Sequence, residues 1–150
     1  MISLSRVALL LGALLLSGCS GTTLLEGAAK TIVTITLDGA PVDGAVVVFM
    51  PESGGRSASG ISNPQGNAEM GTLESGDGVF PGKYKITIFK SIDDPSFVVK
   101  NASAESPGAP DSPPQIYLVP KKYISPRTSR LNATVHADQV NEVTLELTSS

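Results

Sequence analysis

Two short apolar runs near the start of the chain alternate as β-strands do. In residues 31–37 and 45–50, alternate positions carry apolar side chains that would share one face: Val33, Ile35 and Leu37, then Ala45, Val47 and Phe49. Successive side chains of a strand point to opposite faces, so each run can give one apolar face to a core. The turn formers Asp38-Gly39 and Asp43-Gly44 lie between the runs. The pattern predicts two strands joined as a hairpin-like unit.

The rest of the chain repeats this pattern at short intervals. The further strand-like segments are residues 57–62, 67–73, 83–90, 116–123, 131–136 and 142–148. The turn sequence Asn63-Pro64-Gln65-Gly66 predicts that the first two of these segments form a hairpin. In the third, Tyr84, Ile86 and Ile88 alternate with lysines, which is typical of an antiparallel sheet with one wet face. About seven such strands with turns between them indicate an all-β sandwich.

Residues 91–115 break the alternation. They contain five prolines and few large apolar side chains, which predicts a long, partly extended insertion. The small apolar group Phe97-Val98-Val99 could dock on the body of the domain. The prolines could also serve as a recognition ligand, although a solvated loop is the simpler expectation.

The N-terminus has the layout of an export signal. Arg6 precedes an apolar stretch at residues 7–16, and small residues follow, so residues 1–18 are predicted to be a signal peptide. Ten helical residues rise about 15 Å, which is too short for a hydrocarbon core of about 30 Å. The segment Leu16-Ser17-Gly18-Cys19 resembles the bacterial lipobox, which implies that Cys19 is acylated and becomes the first residue. Residues 19–30 are then expected to be a flexible tether.

Lipidation would place the protein on a membrane of the bacterial cell envelope, outside the cytoplasm. Ser20 stands where an aspartate would favour retention in the inner membrane, so the outer membrane and its periplasmic face are favoured. Cys19 is the only cysteine and has no intrachain disulfide partner. The formal charge of −3 and the expected absence of a basic cluster argue against a nucleic-acid partner.

Four phrases, in order along the chain, resemble the carboxypeptidase regulatory-like, or transthyretin-like, domain of small bacterial lipoproteins. They are residues 33–49 (VTITLDGAPVDGAVVVF), 60–67 (GISNPQGN), 76–87 (GDGVFPGKYKIT) and 118–131 (LVPKKYISPRTSRL). One departure follows the turn in the second phrase, where Ala68 or Met70 replaces the usual aromatic residue. The resemblance implies a seven-stranded antiparallel, prealbumin-like (Ig-like) β-sandwich over residues 31–150, and it implies no catalytic activity.

The candidate chemical groups have simpler structural explanations. His136 is the only histidine and no nucleophile motif accompanies it, so no catalytic site is expected. Five aspartates could bind calcium, but turn chemistry explains several of them, and no metal or other cofactor is predicted. An isopeptide bond between Lys30 and Asn132 or Asn141, with Glu146 as the carboxylate, is conceivable without being required. The aspartates are Asp38, Asp43, Asp77, Asp93 and Asp94.

Two functions from different classes remain in view. The first is a non-enzymatic, lipid-anchored β-sandwich that serves as a structural or protein-interaction module of the envelope. The second is a carbohydrate-binding module for envelope or extracellular glycans. A glycan platform would need exposed aromatic rings; the candidates are Phe89, Phe97, Tyr117 and Tyr123, and packing is the simpler role for Tyr123.

Overall fold

The structure is a computed structural model that describes residues 23–96 and 113–150. The predicted signal peptide 1–18, the lipidation site Cys19 and most of the insertion 91–115 lie outside that part of the chain. The described residues form ten β-strands and one 3₁₀ turn. The strands are β1 (Thr31–Leu37), β2 (Ala40–Pro41), β3 (Val46–Pro51), β4 (Ala58–Ile61), β5 (Asn67–Glu69), β6 (Gly82–Phe89), β7 (Ser91–Asp93), β8 (Gln115–Tyr117), β9 (Leu131–Val135) and β10 (Asn141–Leu147), and the 3₁₀ turn is Lys121–Tyr123.

The first sheet is built around β1. One edge of β1 pairs in parallel with β10, from Thr31 opposite Asn141 to Leu37 opposite Leu147. The other edge pairs antiparallel with both β5 and β2, each of which covers a different part of β1. The expectation of a purely antiparallel sandwich is therefore wrong for this pair. Alternation along a strand specifies which face is buried but carries no information on the direction of the neighbouring strand.

The second sheet is antiparallel throughout, in the order β4-β3-β6-β9. β3 and β6 are its central strands, with Val47 opposite Ile88 and Phe49 opposite Ile86. A separate two-stranded ribbon, β7-β8, pairs the first three residues of the predicted insertion 91–115 with residues 115–117 at its other end. The described part of the chain is thus mostly β, with antiparallel pairing in each of its sheets.

Two hairpins were predicted in the N-terminal half, residues 31–37 with 45–50 and residues 57–62 with 67–73. In both, the predicted strand pairing is wrong. β1 and β3 belong to different sheets, and so do β4 and β5. The turn at Asp38-Gly39 instead joins β1 to the short β2, and both of its central residues have positive φ, 50° and 85°. That conformation matches a two-residue hairpin turn, in which Asp and Gly are favoured. The turn chemistry was predicted from the sequence, whereas the partner of each strand was not.

The buried faces agree with the alternation in the sequence. The core contains Val33 and Ile35 of β1, Val47 and Phe49 of β3, Ile86 and Ile88 of β6, and Leu145 and Leu147 of β10. Because these residues come from both four-stranded sheets, the two sheets share one core. The rings of Phe49 and Tyr84 pack within it, with centroids 5.6 Å apart.

The folded body begins before residue 30. The Leu25 N–H donates to the Asp77 carbonyl at 2.9 Å, and Ala29 forms a two-way bridge with Val79 at 2.8 and 3.0 Å. The Asn141 N–H donates to the Lys30 carbonyl at 2.8 Å, which joins this segment to β10. The residues from 25 to 30 therefore lie on the domain and do not form part of a flexible tether.

Candidate functional site

The sequence-predicted modification site, Cys19, lies outside the described residues. The structure shows where the segment that follows Cys19 meets the folded body. The described chain starts at residue 23, is hydrogen-bonded to Asp77 at Leu25, and meets the start of β10 at Lys30, directly before β1. In the described ranges, no helix has the length and apolar character that crossing a bilayer requires.

His136 lies exposed directly after β9. Its backbone N–H donates to Asn141 Oδ1 at 2.9 Å, and its carbonyl accepts from Asn141 Nδ2 at 3.0 Å. The buried Asn141 amide thus closes the turn between β9 and β10. Asn141 is engaged in this way and Lys30 Nζ lies 3.5 Å from Glu69 Oε1, so the conceivable isopeptide bond between Lys30 and Asn141 finds no support in these contacts.

Asp77 is the most deeply placed of the candidate calcium ligands, with 3% of its surface exposed. Its carboxylate accepts three backbone N–H groups, from Thr72 at 2.6 Å, Leu73 at 3.0 Å and Glu74 at 2.8 Å. Burial raises the pKa of Asp77, but the hydrogen bonds from Glu74, Thr72 and Leu73 outweigh burial and lower it below its ordinary value. The carboxylate therefore anchors the loop between β5 and β6.

The close packing of this loop also explains a glycine. A Cβ added to Gly71 would lie 1.7 Å from the Glu74 carbonyl oxygen and 2.9 Å from Asp77 Oδ1. Only a residue without a side chain allows the loop to fold back onto the carboxylate at this point. The Asp77 loop, residues 71–78, is thus closely packed around its own carboxylate.

The other aspartates are dispersed. Asp38 accepts the Ser149 N–H at 3.1 Å, and Asp94 accepts the Ser96 N–H at 2.8 Å. The Asp93 carboxylate accepts from Gln115 across the β7-β8 ribbon, and the Asp43 carbonyl accepts from Lys90. Within residues 23–96 and 113–150, no group of three or more His, Cys, Asp or Glu side chains is arranged to hold a metal ion.

Three of the four aromatic candidates for a glycan platform are described, and one of them is buried. Tyr123 is only 6% exposed, and its hydroxyl accepts the Thr148 N–H at 2.9 Å, so its role is packing. Tyr117 is 41% exposed, but Lys121 Nζ lies 4.7 Å from the centre of its ring. Phe89 is exposed on β6, and Phe97 lies outside the described residues.

A group of cations that the sequence reading missed lines a cleft of about 430 Å³. We call it the basic cleft; it is lined by Lys122, Tyr123, Arg127, Thr128, Ser129 and Arg130. Its three cationic residues, Lys122, Arg127 and Arg130, are separated along the chain and do not form a continuous basic run in the sequence. A usable signal does exist, because residues 112–137 contain four lysines and arginines and no aspartate or glutamate.

Comparisons with known proteins give no assignment of this arrangement: no protein-family model, curated protein or solved structure matches the chain. The functional argument therefore depends on the residues of this chain.

Proposed function

We propose that the protein is a lipid-anchored envelope module, held to a membrane through acylated Cys19 and carrying a non-catalytic β-sandwich. The observation that carries the proposal is the spacing between the lipobox and the folded body. Cys19 precedes Leu25, the first described residue that is hydrogen-bonded to the body, by six positions. An extended chain of that length reaches at most about 20 Å. An acyl chain at Cys19 would hold the domain close to the bilayer surface.

One end of the domain would face that bilayer. The turn between β9 and β10 lies beside the N-terminal segment, and together they line a cleft of about 550 Å³. Leu24 and Val140 are exposed there, and their apolar side chains suit contact with a lipid surface. Two or more acyl chains supply stable attachment, since each buried CH₂ contributes about 0.8 kcal/mol.

The proposed sandwich is of the prealbumin-like type, with about seven principal strands. A local feature supports an Ig-like arrangement. Tyr84, near the start of β6, donates its hydroxyl to the Phe80 carbonyl at 2.7 Å, four residues upstream. Such a tyrosine corner, in which a strand-start Tyr bonds back to the preceding corner, is a hallmark of Ig-type sandwiches. Burial raises the pKa of Tyr84, so the hydroxyl remains protonated and available as a donor.

The role proposed for the domain is structural or protein-binding. The only histidine lies exposed on a turn, and the buried Asp77 carboxylate is fully used in loop hydrogen bonds. The β7-β8 ribbon carries exposed Ile92 and Ile116, which are paired directly opposite each other. Exposed apolar side chains of this kind are a suitable contact for another envelope protein.

Incorporation of labelled fatty acid tests the anchor. We expect the full chain, produced in a bacterium, to incorporate labelled palmitate and the Cys19→Ser variant to incorporate none, because the thiol is the acceptor. Ser20→Ala is the matched control and should be labelled like the parent chain. Label that persists in Cys19→Ser would show that the acceptor lies elsewhere and would overturn the proposal.

A further inference from the structure

Among residues 23–96 and 113–150, no acidic side chain pairs with the arginines of the basic cleft. The side chains of Arg127 and Arg130 are exposed and form no hydrogen bond or salt bridge with another described residue. Lys122 is partly engaged, because its Nζ donates to Thr148 Oγ1 at 3.1 Å and to the Ser150 carbonyl oxygen. Asp38 is near enough for Lys122 to contribute to the lowered pKa of that carboxyl, after the larger effect of the Ser149 hydrogen bonds. Two guanidinium groups are thus available to an external anion.

The loop that carries these arginines is held in place by its own hydrogen bonds. Ser125 accepts from the Thr128 and Ser129 N–H groups through its carbonyl, at 3.1 and 2.9 Å. The Thr128 hydroxyl donates to the Lys122 carbonyl at 2.6 Å, and the buried Ser129 hydroxyl donates to the Ile86 carbonyl at 2.6 Å. A binding loop fixed in this way loses little conformational freedom when a ligand arrives.

The backbone of Arg130 is also unusual. Arg130 has φ 56°, in the left-handed region, where the only other described non-glycine residues are Asp38 and Asp138. Aspartate tolerates this region through local hydrogen bonds, whereas arginine has no such advantage. A strained backbone at a residue that lines a cleft is a reason to ask what its side chain binds.

We propose that the basic cleft binds the carboxylate or phosphate group of an acidic ligand through Arg127 and Arg130, with Lys122 beside them. Guanidinium groups bind such oxyanions with paired, charge-assisted hydrogen bonds. The cleft is larger than one oxyanion, so the ligand is expected to extend beyond its charged group. The proposal does not depend on the lipid anchor.

The position of the cleft separates it from the proposed membrane side. Lys122 contacts Thr148 just after β10, whereas Lys30 bonds to Asn141 at the start of β10. The seven residues of β10 span about 20 Å. The cleft therefore lies at the far end of the sheet from the chain that leads to Cys19. Its anion would come from a free small molecule or from an acidic glycan and not from the headgroups of the anchoring bilayer.

Calorimetric titration of the full chain in a non-ionic detergent tests the proposal with inorganic phosphate, polygalacturonate and neutral dextran as probes. We expect saturable binding of at least one anionic probe, weakened by salt, and none of dextran. If phosphate and polygalacturonate each bind, a free oxyanion is a sufficient ligand. If polygalacturonate binds and phosphate does not, the ligand is a carboxylate carried by a glycan.

The decisive comparison uses two double variants that remove the same charge. Arg127→Gln with Arg130→Gly removes both guanidinium groups, and glycine suits the positive φ at position 130. Lys83→Gln with Lys85→Gln removes two exposed lysines of β6 outside the cleft. We expect the first pair to weaken binding by at least about tenfold and the second by less than about twofold. Equal loss in both, or no anionic binding by the parent chain, would overturn the proposal.

Discussion

The Ile86→Ala variant is expected to lower the free energy of unfolding by about 2–5 kcal/mol. Ile86 is fully buried in β6, where it pairs with Phe49 of β3 on one side and Leu131 of β9 on the other. Truncation leaves a cavity in the core that the two sheets share, and β6 cannot easily shift to fill it because both of its edges are paired. Far-UV circular dichroism during urea unfolding suits this measurement, because the chain contains no tryptophan.

Ile61→Ala is the matched control for this prediction. Ile61 is 67% exposed on β4, the edge strand next to β3. The same truncation there should change stability by no more than about 0.5 kcal/mol. Similar losses in the two variants would contradict the placement of β6 at the centre of the second sheet.

The second large effect is expected for Asp77→Asn, which should lower the free energy of unfolding by about 1.5–3 kcal/mol at neutral pH. The amide keeps one acceptor oxygen but turns an NH₂ group toward backbone donors that the carboxylate now satisfies. Asp138→Asn is the control. Asp138 is exposed in a turn at φ 59°, where asparagine is well tolerated, so the change should be within about 0.5 kcal/mol.

The pH dependence separates the charge of Asp77 from its shape. Desolvation opposes ionisation, but the three N–H donors hold the folded pKa below the ordinary value of 3.8. Because the pKa is lowered by folding, the ionised carboxylate makes its full contribution to stability at pH values above the pKa of the unfolded state. That contribution is lost as the pH falls through the pKa of the folded state. The difference in unfolding free energy between the parent chain and Asp77→Asn should therefore be widest at pH values above 3.8. It should narrow as the pH falls below 3.8. A gap that does not change between neutral and acid pH would exclude a role for the charge.

The alternation of apolar and polar residues predicts the buried faces well because each strand alone determines which of its two faces is apolar. Val47, Phe49, Ile86 and Ile88 are all buried as their spacing indicates. Turn chemistry is equally local, and Asp38-Gly39 forms the turn that its residue types favour. Pairing is not local. The same apolar face can cover a core from either sheet, so the sequence alone did not reveal that β1 pairs in parallel with β10.

The candidate site shows the same division. Turn chemistry predicts a structural role for Asp77, and the burial of Tyr123 agrees with the packing role expected from its place in the phrase at residues 118–131. The basic cleft depends on how the loop after the 3₁₀ turn folds, which brings Lys122, Arg127 and Arg130 to one opening. The net charge of the whole chain is −3, so it gives no sign of this local excess of cations. Counting acidic residues in windows would have detected the acid-free stretch.

The chemical state of the first residue of the mature protein tests the central proposal most directly. We propose a domain held near a membrane by a lipid on Cys19, six residues before Leu25, the first described residue that is hydrogen-bonded to the body. Mass spectrometry of the N-terminal peptide from protein isolated in the membrane fraction should find Cys19 as the first residue, with acyl groups attached. A peptide that begins at another residue, or an unmodified Cys19, would contradict the proposed anchor.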